Sequence, residues 1–398
     1  MKKPEITQPL QAIQPKQSKK WLWILLGILG ALTITCILLY FLWFRPAIQR
    51  PLSEAISHSP ITPAELPTTI NKTDDSALDS SQSEDSLADP AQEAPSGEQI
   101  EATQPVTMED LLERKEVAVE SNTKDPICGD DQEMMILMVA IDYRGSDYLY
   151  GLADVIRLVH VDFTEPRVDV VALPRALLVQ VPPNMVNVEG PILLNQGYLF
   201  GTPGMGHYTG TGLGAGSLAE TIMYNYGISV DQYVVFDWAS FSTLIDKLGG
   251  IEVDLPTYVD DRPYAFFPEG KQTLSGEEAL VLARIRRKYS DNIRIDTQNL
   301  IIQAVINKMR QPETFLKLPG LAEDMLSMVL TDGSLSQIPE GICLLQNLDR
   351  EDITFYNPSD EIIFYGWEFI PTMNQDMNIF FWDSGLVEWM FDIFWPTQ

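Results

Sequence analysis

Residues 21–44, WLWILLGILGALTITCILLYFLWF, carry no charge. No other run constrains the chain as tightly. In lipid a backbone must satisfy its own hydrogen bonds, and a single segment can do so only as a helix. About 20 apolar residues span a bilayer, and Trp21, Trp23 and Trp43 stand near the ends, where indoles favour the interface. Lys2, Lys3, Lys16, Lys19 and Lys20 precede the run, and only Arg45 and Arg50 follow closely. This asymmetry predicts a cytoplasmic tail over 1–20, a single-pass anchor in the cell membrane over 21–44, and an extracytoplasmic remainder. A cleaved signal peptide would have a shorter apolar core and a small-residue cleavage site, whereas Arg45-Pro46 follows here.

Residues 45–125 are rich in Pro, Ser, Thr, Asp, Glu, Gln and Ala, with little to bury. Such a composition predicts a disordered, self-repelling acidic linker, with a short helix over 108–120 near its end. The folded region then divides into a main domain over 126–310 and a C-terminal extension over 311–398 that packs on it. EMMILMVAID, ending at Asp142, reads as a buried central strand. Residues 153–163 and 167–175 flank the turn Thr164-Glu165-Pro166 and read as a hairpin. A helix over 217–226, a strand over 232–237, a helix over 238–250 and the strand IEVDLP follow. Ser275 with Glu278 forms a capping box, ARIR over 283–286 reads as extended, and 294–309 as a helix. Helices are predicted over 313–330 and 335–348, then an aromatic tail. Alternating strands and helices predict an α/β (α+β sandwich) fold, a central mixed sheet flanked by helices. Cys128 and Cys343 form either a disulfide, in an oxidising compartment, or two buried thiols.

Five cations, Arg284, Arg286, Arg287, Lys288 and Arg294, fall within eleven residues of a chain with a formal net charge of -29. They read either as an anion pocket or as a solvated face pairing with the acidic linker. On an extended segment Arg284 and Arg286 share a side. On a helix Arg294 and Gln298 share a face, with Asp291 placed to orient a guanidinium. Arg175 ends a strand after Pro174. Guanidinium forks match phosphate oxygens and keep their charge. Asp142 and Asp154, each beside a strand, either cap turns or hold Mg²⁺, which takes few protein oxygens and leaves the rest of its octahedron to phosphates and water. The glycine-rich run 201–216 lacks the Gly-Lys-Ser/Thr of a nucleotide loop and reads as a plain loop or a flap over a site entrance. Three histidines, His58, His160 and His207, make no His/Cys cluster for zinc. The cationic cluster is too small for nucleic acid.

VAIDYRG, LADVIRLVHVD, VVALPR, LLNQGY, YVVFDWASFSTLIDKLGGIEVDLP and FPEGKQTLSGEEALVLARIR followed by DNIRIDTQ resemble the LytR-CpsA-Psr family of membrane-anchored cell-wall glycopolymer transferases. The resemblance implies Asp142 and Asp154 as Mg²⁺ ligands and Arg175, Arg284, Arg286, Asp291, Arg294, Gln298 and Asn195 as pyrophosphate contacts. It implies a polyprenyl-pyrophosphate-linked glycan as donor, with the lipid in an apolar tunnel, and a cell-wall polymer as acceptor. Asp142, Asp154, Arg175, Arg284 and Arg286 would then be the catalytic set. The chain departs from the family pattern at Leu152, Ala176, Leu193 and Thr297, losing peripheral charges. Arg157 lies three residues after Asp154, although simple alternation puts it on the opposite strand face. A phosphotransferase is the leading expectation, with a non-catalytic binder of lipid-linked precursors and a polyprenyl-pyrophosphate pyrophosphatase as alternatives.

Overall fold

The structure, a computed structural model, describes residues 55–56, 61–67, 106–143, 150–285 and 291–396, and of residues 291–293 only the backbone. The apolar run 21–44 and most of the linker lie outside the described residues, as do Arg286, Arg287, Lys288 and the side chain of Asp291. Among the described residues no helix is long and apolar enough to cross a membrane.

The chain begins with α1 (Met108–Ser121), capped by Thr107 and Asp110 in a reciprocal box. Three antiparallel strands follow: β1 (Glu133–Ile141), β2 (Ala153–Asp162) and β3 (Arg167–Leu173). β2 and β3 form the hairpin predicted from their alternation. Short strands β4 (Leu178–Val179) and β5 (Ile192–Leu193) lead into α2 (Leu194–Phe200) and α3 (Leu213–Tyr226). Strand β6 (Gln232–Phe236) then pairs parallel with β1.

Helix α4 (Trp238–Lys247) starts where Asp237 accepts from the Ser240 N–H at 2.7 Å. β7 (Ile251–Leu255) leaves the central sheet and, past β8 (Val259–Asp261) and β9 (Ala265–Phe267), pairs with β10 (Gly270–Leu274). Helix α5 (Gly276–Arg284) opens with the predicted box, Glu278 accepting from the Ser275 hydroxyl at 2.8 Å. Gly276 lets this helix start against α4, because a Cβ there would collide with the Ser242 backbone. The long helix α6 (Asp291–Met309) follows.

Residues 311–398 do more than pack on a finished domain. After α7 (Pro312–Phe315) and α8 (Leu318–Leu326), β11 (Leu330–Thr331) pairs with β6. After α9 (Ile338–Asn347), β12 (Ile353–Tyr356) pairs with β3. The central mixed sheet therefore runs β11-β6-β1-β2-β3-β12, with both edges supplied by the C-terminal stretch. The single helix expected over 313–330 is divided, with Pro319 starting its second half and β11 taking its end. A hairpin, β13 (Ile363–Ile370) with β14 (Gln375–Trp382), and helix α10 (Ser384–Phe394) complete the chain. Cys128 and Cys343 are disulfide-bonded, their Cα atoms 5.7 Å apart, tying the segment before β1 to α9.

Alternation along the strands sends two sets of side chains to two faces. Leu137, Val139, Ile141, Ile156, Leu158, Val171 and Leu173 are buried in one apolar core with α1, α2, α3 and α10. On the other face, Met138 and Ala140 look toward α4, α5 and α6 across a cavity. A second core lies between those helices and β7 and β10, around Ile245, Val253, Leu282 and Ile301.

Candidate anion and lipid site

The cavity over the second sheet face has a volume of about 640 Å³. Its charged residues are Asp142, Asp154, Arg175, Asp237, Arg284 and Arg294, with Gln298 beside them. The rest is apolar: Phe236, Trp238, Phe241 and Leu244 come from β6 and α4, and Ile301, Ile302, Val305 and Ile306 from α6. Positions 294, 298, 301, 302, 305 and 306 recur at helical spacing, so one face of α6 presents a cation and an amide at one end and hydrocarbon beyond.

Asp142 follows directly on β1 and is exposed. Asp154 owes its place to a register shift. Ala140 pairs with Val155 and Ile141 with Ala153, so Asp154 is the extra residue of a β-bulge. The Arg175 guanidinium donates to Asp154 Oδ1 at 2.5 Å. Pro174 removes the N–H that would continue β3, and Arg175 stands just past the strand end.

Arg284 is helical, not extended as expected. The Ser275 box starts α5 early enough that nine residues reach Arg284 before Ile285 turns extended (ψ 124). Its guanidinium lies over the Trp238 ring, 3.2 Å from the centroid. Arg286, its expected partner, lies outside the described residues. Arg294 and Gln298 are buried, 6% and 8% exposed, and both line the cavity.

Asn195 is not brought to this cavity. It is buried at the start of α2, its N–H donating to the Arg175 carbonyl at 3.0 Å and its Oδ1 without a hydrogen-bond partner. Leu193, where the family pattern has a cation, is likewise buried, against Ile370 and Ile379. The run 201–216 does not line the cavity either. Its glycines permit close packing instead: a Cβ on Gly216 would strike the Thr211 carbonyl.

Arg157 is the residue that alternation misplaces. The bulge at Asp154 resets the phase of β2, so Arg157 pairs with Met138 and shares its face. It is 1% exposed, yet no carboxylate pairs with it among the described residues. One terminal nitrogen donates to Gln298 Oε1 at 3.0 Å, another to the Ile156 carbonyl, and Nε is buried without a partner. Burial, with the charge of Arg294 beside it, pulls its pKa down to about 9, still cationic at neutral pH. Gln298 in turn donates to the Ala283 carbonyl at 3.2 Å, so its amide bridges β2 and the end of α5. Simple alternation puts Arg157 on the opposite face because nothing local announces the bulge.

Among the described residues no three His, Cys, Asp or Glu side chains cluster as a metal cage. Asp142 and Asp154 line the same cavity, and Asp237 is spent on its helix cap. Two carboxylates suit Mg²⁺ only when phosphate oxygens and water complete the octahedron, so the donor set fits a cation that arrives with a phosphate ligand. A confined apolar cavity with guanidinium groups at one end can take a phosphorylated amphiphile, head to the arginines and chain along α6.

The teichoic acid transferase TagV of Bacillus subtilis is 29% identical over 219 residues, 53% of this chain and 52% of TagV. The cell wall biosynthesis protein LcpA of Corynebacterium glutamicum is 32% identical over 148 residues, 36% of this chain and 28% of LcpA. The chain thus spans about half the length of TagV and less of LcpA. The crystal structure of B. subtilis TagV has the same fold, with a TM-score of 0.52 at 24% identity, covering 66% of this chain and 95% of that one. A family model described as the LytR_cpsA_psr family matches residues 99–359, well over half of this chain. The chain belongs to the LytR_cpsA_psr family.

Proposed function

We propose that this protein is a membrane-anchored extracytoplasmic phosphotransferase that moves a phosphoglycan from a polyprenyl-pyrophosphate carrier to a cell-wall acceptor. The observation that carries the reading is the cavity itself, in which Arg175, Arg284 and Arg294 border hydrocarbon walls. TagV and TagU are named as enzymes acting on polyisoprenyl-teichoic acid and peptidoglycan, which supports a glycopolymer substrate here.

In this mechanism the pyrophosphate lies among Arg175, Arg284 and Arg294, and part of the prenyl chain lies along Phe241, Ile302 and Val305. The acceptor hydroxyl oxygen bonds to the phosphorus that carries the glycan. The bridging P–O bond breaks, polyprenyl phosphate leaves with the electron pair, and the hydroxyl proton passes to solvent. Such transfers depend on positioning and on stabilising charge at the phosphates. Asp142 and Asp154 would hold Mg²⁺, which neutralises phosphate charge when bound. Asp154 also orients Arg175, and Arg157 positions Gln298 while adding buried positive charge behind Arg294. That charge offsets part of what the chain lacks at Leu152.

The test is an acceptor-dependent assay with the full chain in detergent, a polyprenyl-pyrophosphate glycan and wall polymer. Transfer should need Mg²⁺ and fall roughly 10²–10³-fold in Arg294→Ala. Full activity in Arg294→Ala would sink the reading. Release of phosphate at equal rate without acceptor would select the pyrophosphatase. The non-catalytic binder keeps one observation in its favour, the close Arg175–Asp154 pair that ties up both groups. Lipid retained without turnover would select it.

A further inference from the structure

The β13–β14 hairpin presents a face the cavity does not use. Tyr365, Trp367 and Phe369 alternate along β13 and share one side. They are 51%, 72% and 47% exposed. Directly across from Trp367 and Phe369 on β14 stand Asn378 and Asp376, both exposed. The other side of the hairpin is anchored, with Ile370 and Ile379 packed against Leu193. Flat rings interleaved with an amide and a carboxylate therefore face outward from a fixed support.

The chemistry of this face selects its occupant. Residues 351–398 contain no lysine or arginine, while Asp376 stands across from Phe369 on the ring side, so an anionic lipid surface or a polyanion is repelled. A wholly apolar partner would strip water from Asn378 and Asp376 without replacing their hydrogen bonds. A neutral glycan meets both demands: the C–H faces of its sugars stack on the rings, and its hydroxyls donate to Asp376 and to the Asn378 carbonyl. The support also leads to the cavity. The Phe380 N–H donates to the Ala176 carbonyl at 3.0 Å, one residue past Arg175, and Leu177 bridges Phe380 in parallel.

We propose that the Tyr365–Trp367–Phe369 face is a binding platform for a neutral wall glycan, the acceptor strand of the transfer. The acceptor role rests on the transferase reading; the glycan binding does not. The full chain in detergent is tested for retention by peptidoglycan sacculi stripped of anionic polymers and for binding a soluble N-acetylglucosamine hexamer. Trp367→Ala should weaken both roughly tenfold, and Phe369→Ala should weaken both as well, with unchanged unfolding midpoints. Leu316→Ala, an exposed apolar residue away from the hairpin, should change neither. In the transfer assay Trp367→Ala should raise the acceptor KM and spare kcat.

Equal glycan binding by wild type and Trp367→Ala overturns the proposal. So does a dimer in sedimentation that Trp367→Ala converts to monomer, since the face then joins two copies. So does quenching by brominated lipid in reconstituted vesicles that disappears with Trp367→Ala, since the face then meets membrane. Trp367-dependent glycan binding in a chain with no transfer would leave this platform standing and remove the transferase reading. Intact transfer with indifferent Trp367 would do the reverse.

Discussion

The two faces of the six-stranded sheet are made of alternate residues from the same strands, yet one is solid and the other hollow. Val139, Ile141, Ile156 and Leu158 are fully buried in a continuous apolar core. Next to them in sequence, Met138, Ala140 and Val155 border a cavity, with Arg157 buried at its back. A solid face is what folding demands, because dense packing offsets chain entropy. A hollow face with a buried cation costs stability and is kept where a ligand completes it.

The comparison can be broken most strongly on the solid side. Ile156→Ala should lose about 2–5 kcal/mol in denaturant unfolding, and a smaller loss would mean that this face is looser than its burial implies. On the hollow side the expected sign reverses. Arg157→Met keeps the aliphatic stem and removes a charge that no carboxylate among the described residues offsets. It should leave unfolding free energy unchanged or raise it by about 1 kcal/mol or more, while transfer falls roughly tenfold or more as Gln298 loses its donor. Destabilisation comparable to Ile156→Ala would make Arg157 a structural strut. Filling the cavity with Val305→Phe should raise the KM for long prenyl donors by roughly tenfold and leave stability within about 1 kcal/mol. An unchanged KM would move the lipid elsewhere.

The smallest effect concerns Glu220, buried on α3 at the solid side, with Oε1 accepting from Asn184 and Oε2 unpartnered. Burial raises its pKa. The folded state then holds the proton more tightly than the unfolded one, and this contribution is lost as pH rises through the folded pKa. Glu220→Gln should therefore raise the thermal midpoint by about 2 °C at neutral pH, with the gap closing near pH 4. A gap independent of pH would show that ionisation is not the cause.

Local chemistry made much of this legible. The β2–β3 hairpin follows from alternation around Thr164-Glu165-Pro166, and the starts of α4 and α5 follow from Asp237 and Ser275, because periodicity and caps act within a few residues. The grouping of Asp142, Asp154, Arg175, Arg284, Arg294 and Gln298 at one cavity was likewise readable from motif order. Other features were not local. Both sheet edges come from Leu330–Thr331 and Ile353–Tyr356, short segments that become strands only by pairing with β6 and β3. The burial of Leu193 and Asn195 at the start of α2, with the Asn195 N–H on the Arg175 carbonyl, was not local either.

Residue types and spacing alone settle which side chains are available and where strands and helices begin, since those choices depend on neighbours in the chain. Facing and depth belong to the tertiary structure. One extra residue at Asp154 turns Arg157 toward Gln298, and two further helical residues, Ala283 and Arg284, at the end of α5 lay Arg284 on Trp238. A bulge and a helix end are selected by the energy of distant partners, and a one-residue shift of phase is enough to move a charge from one face of the sheet to the other.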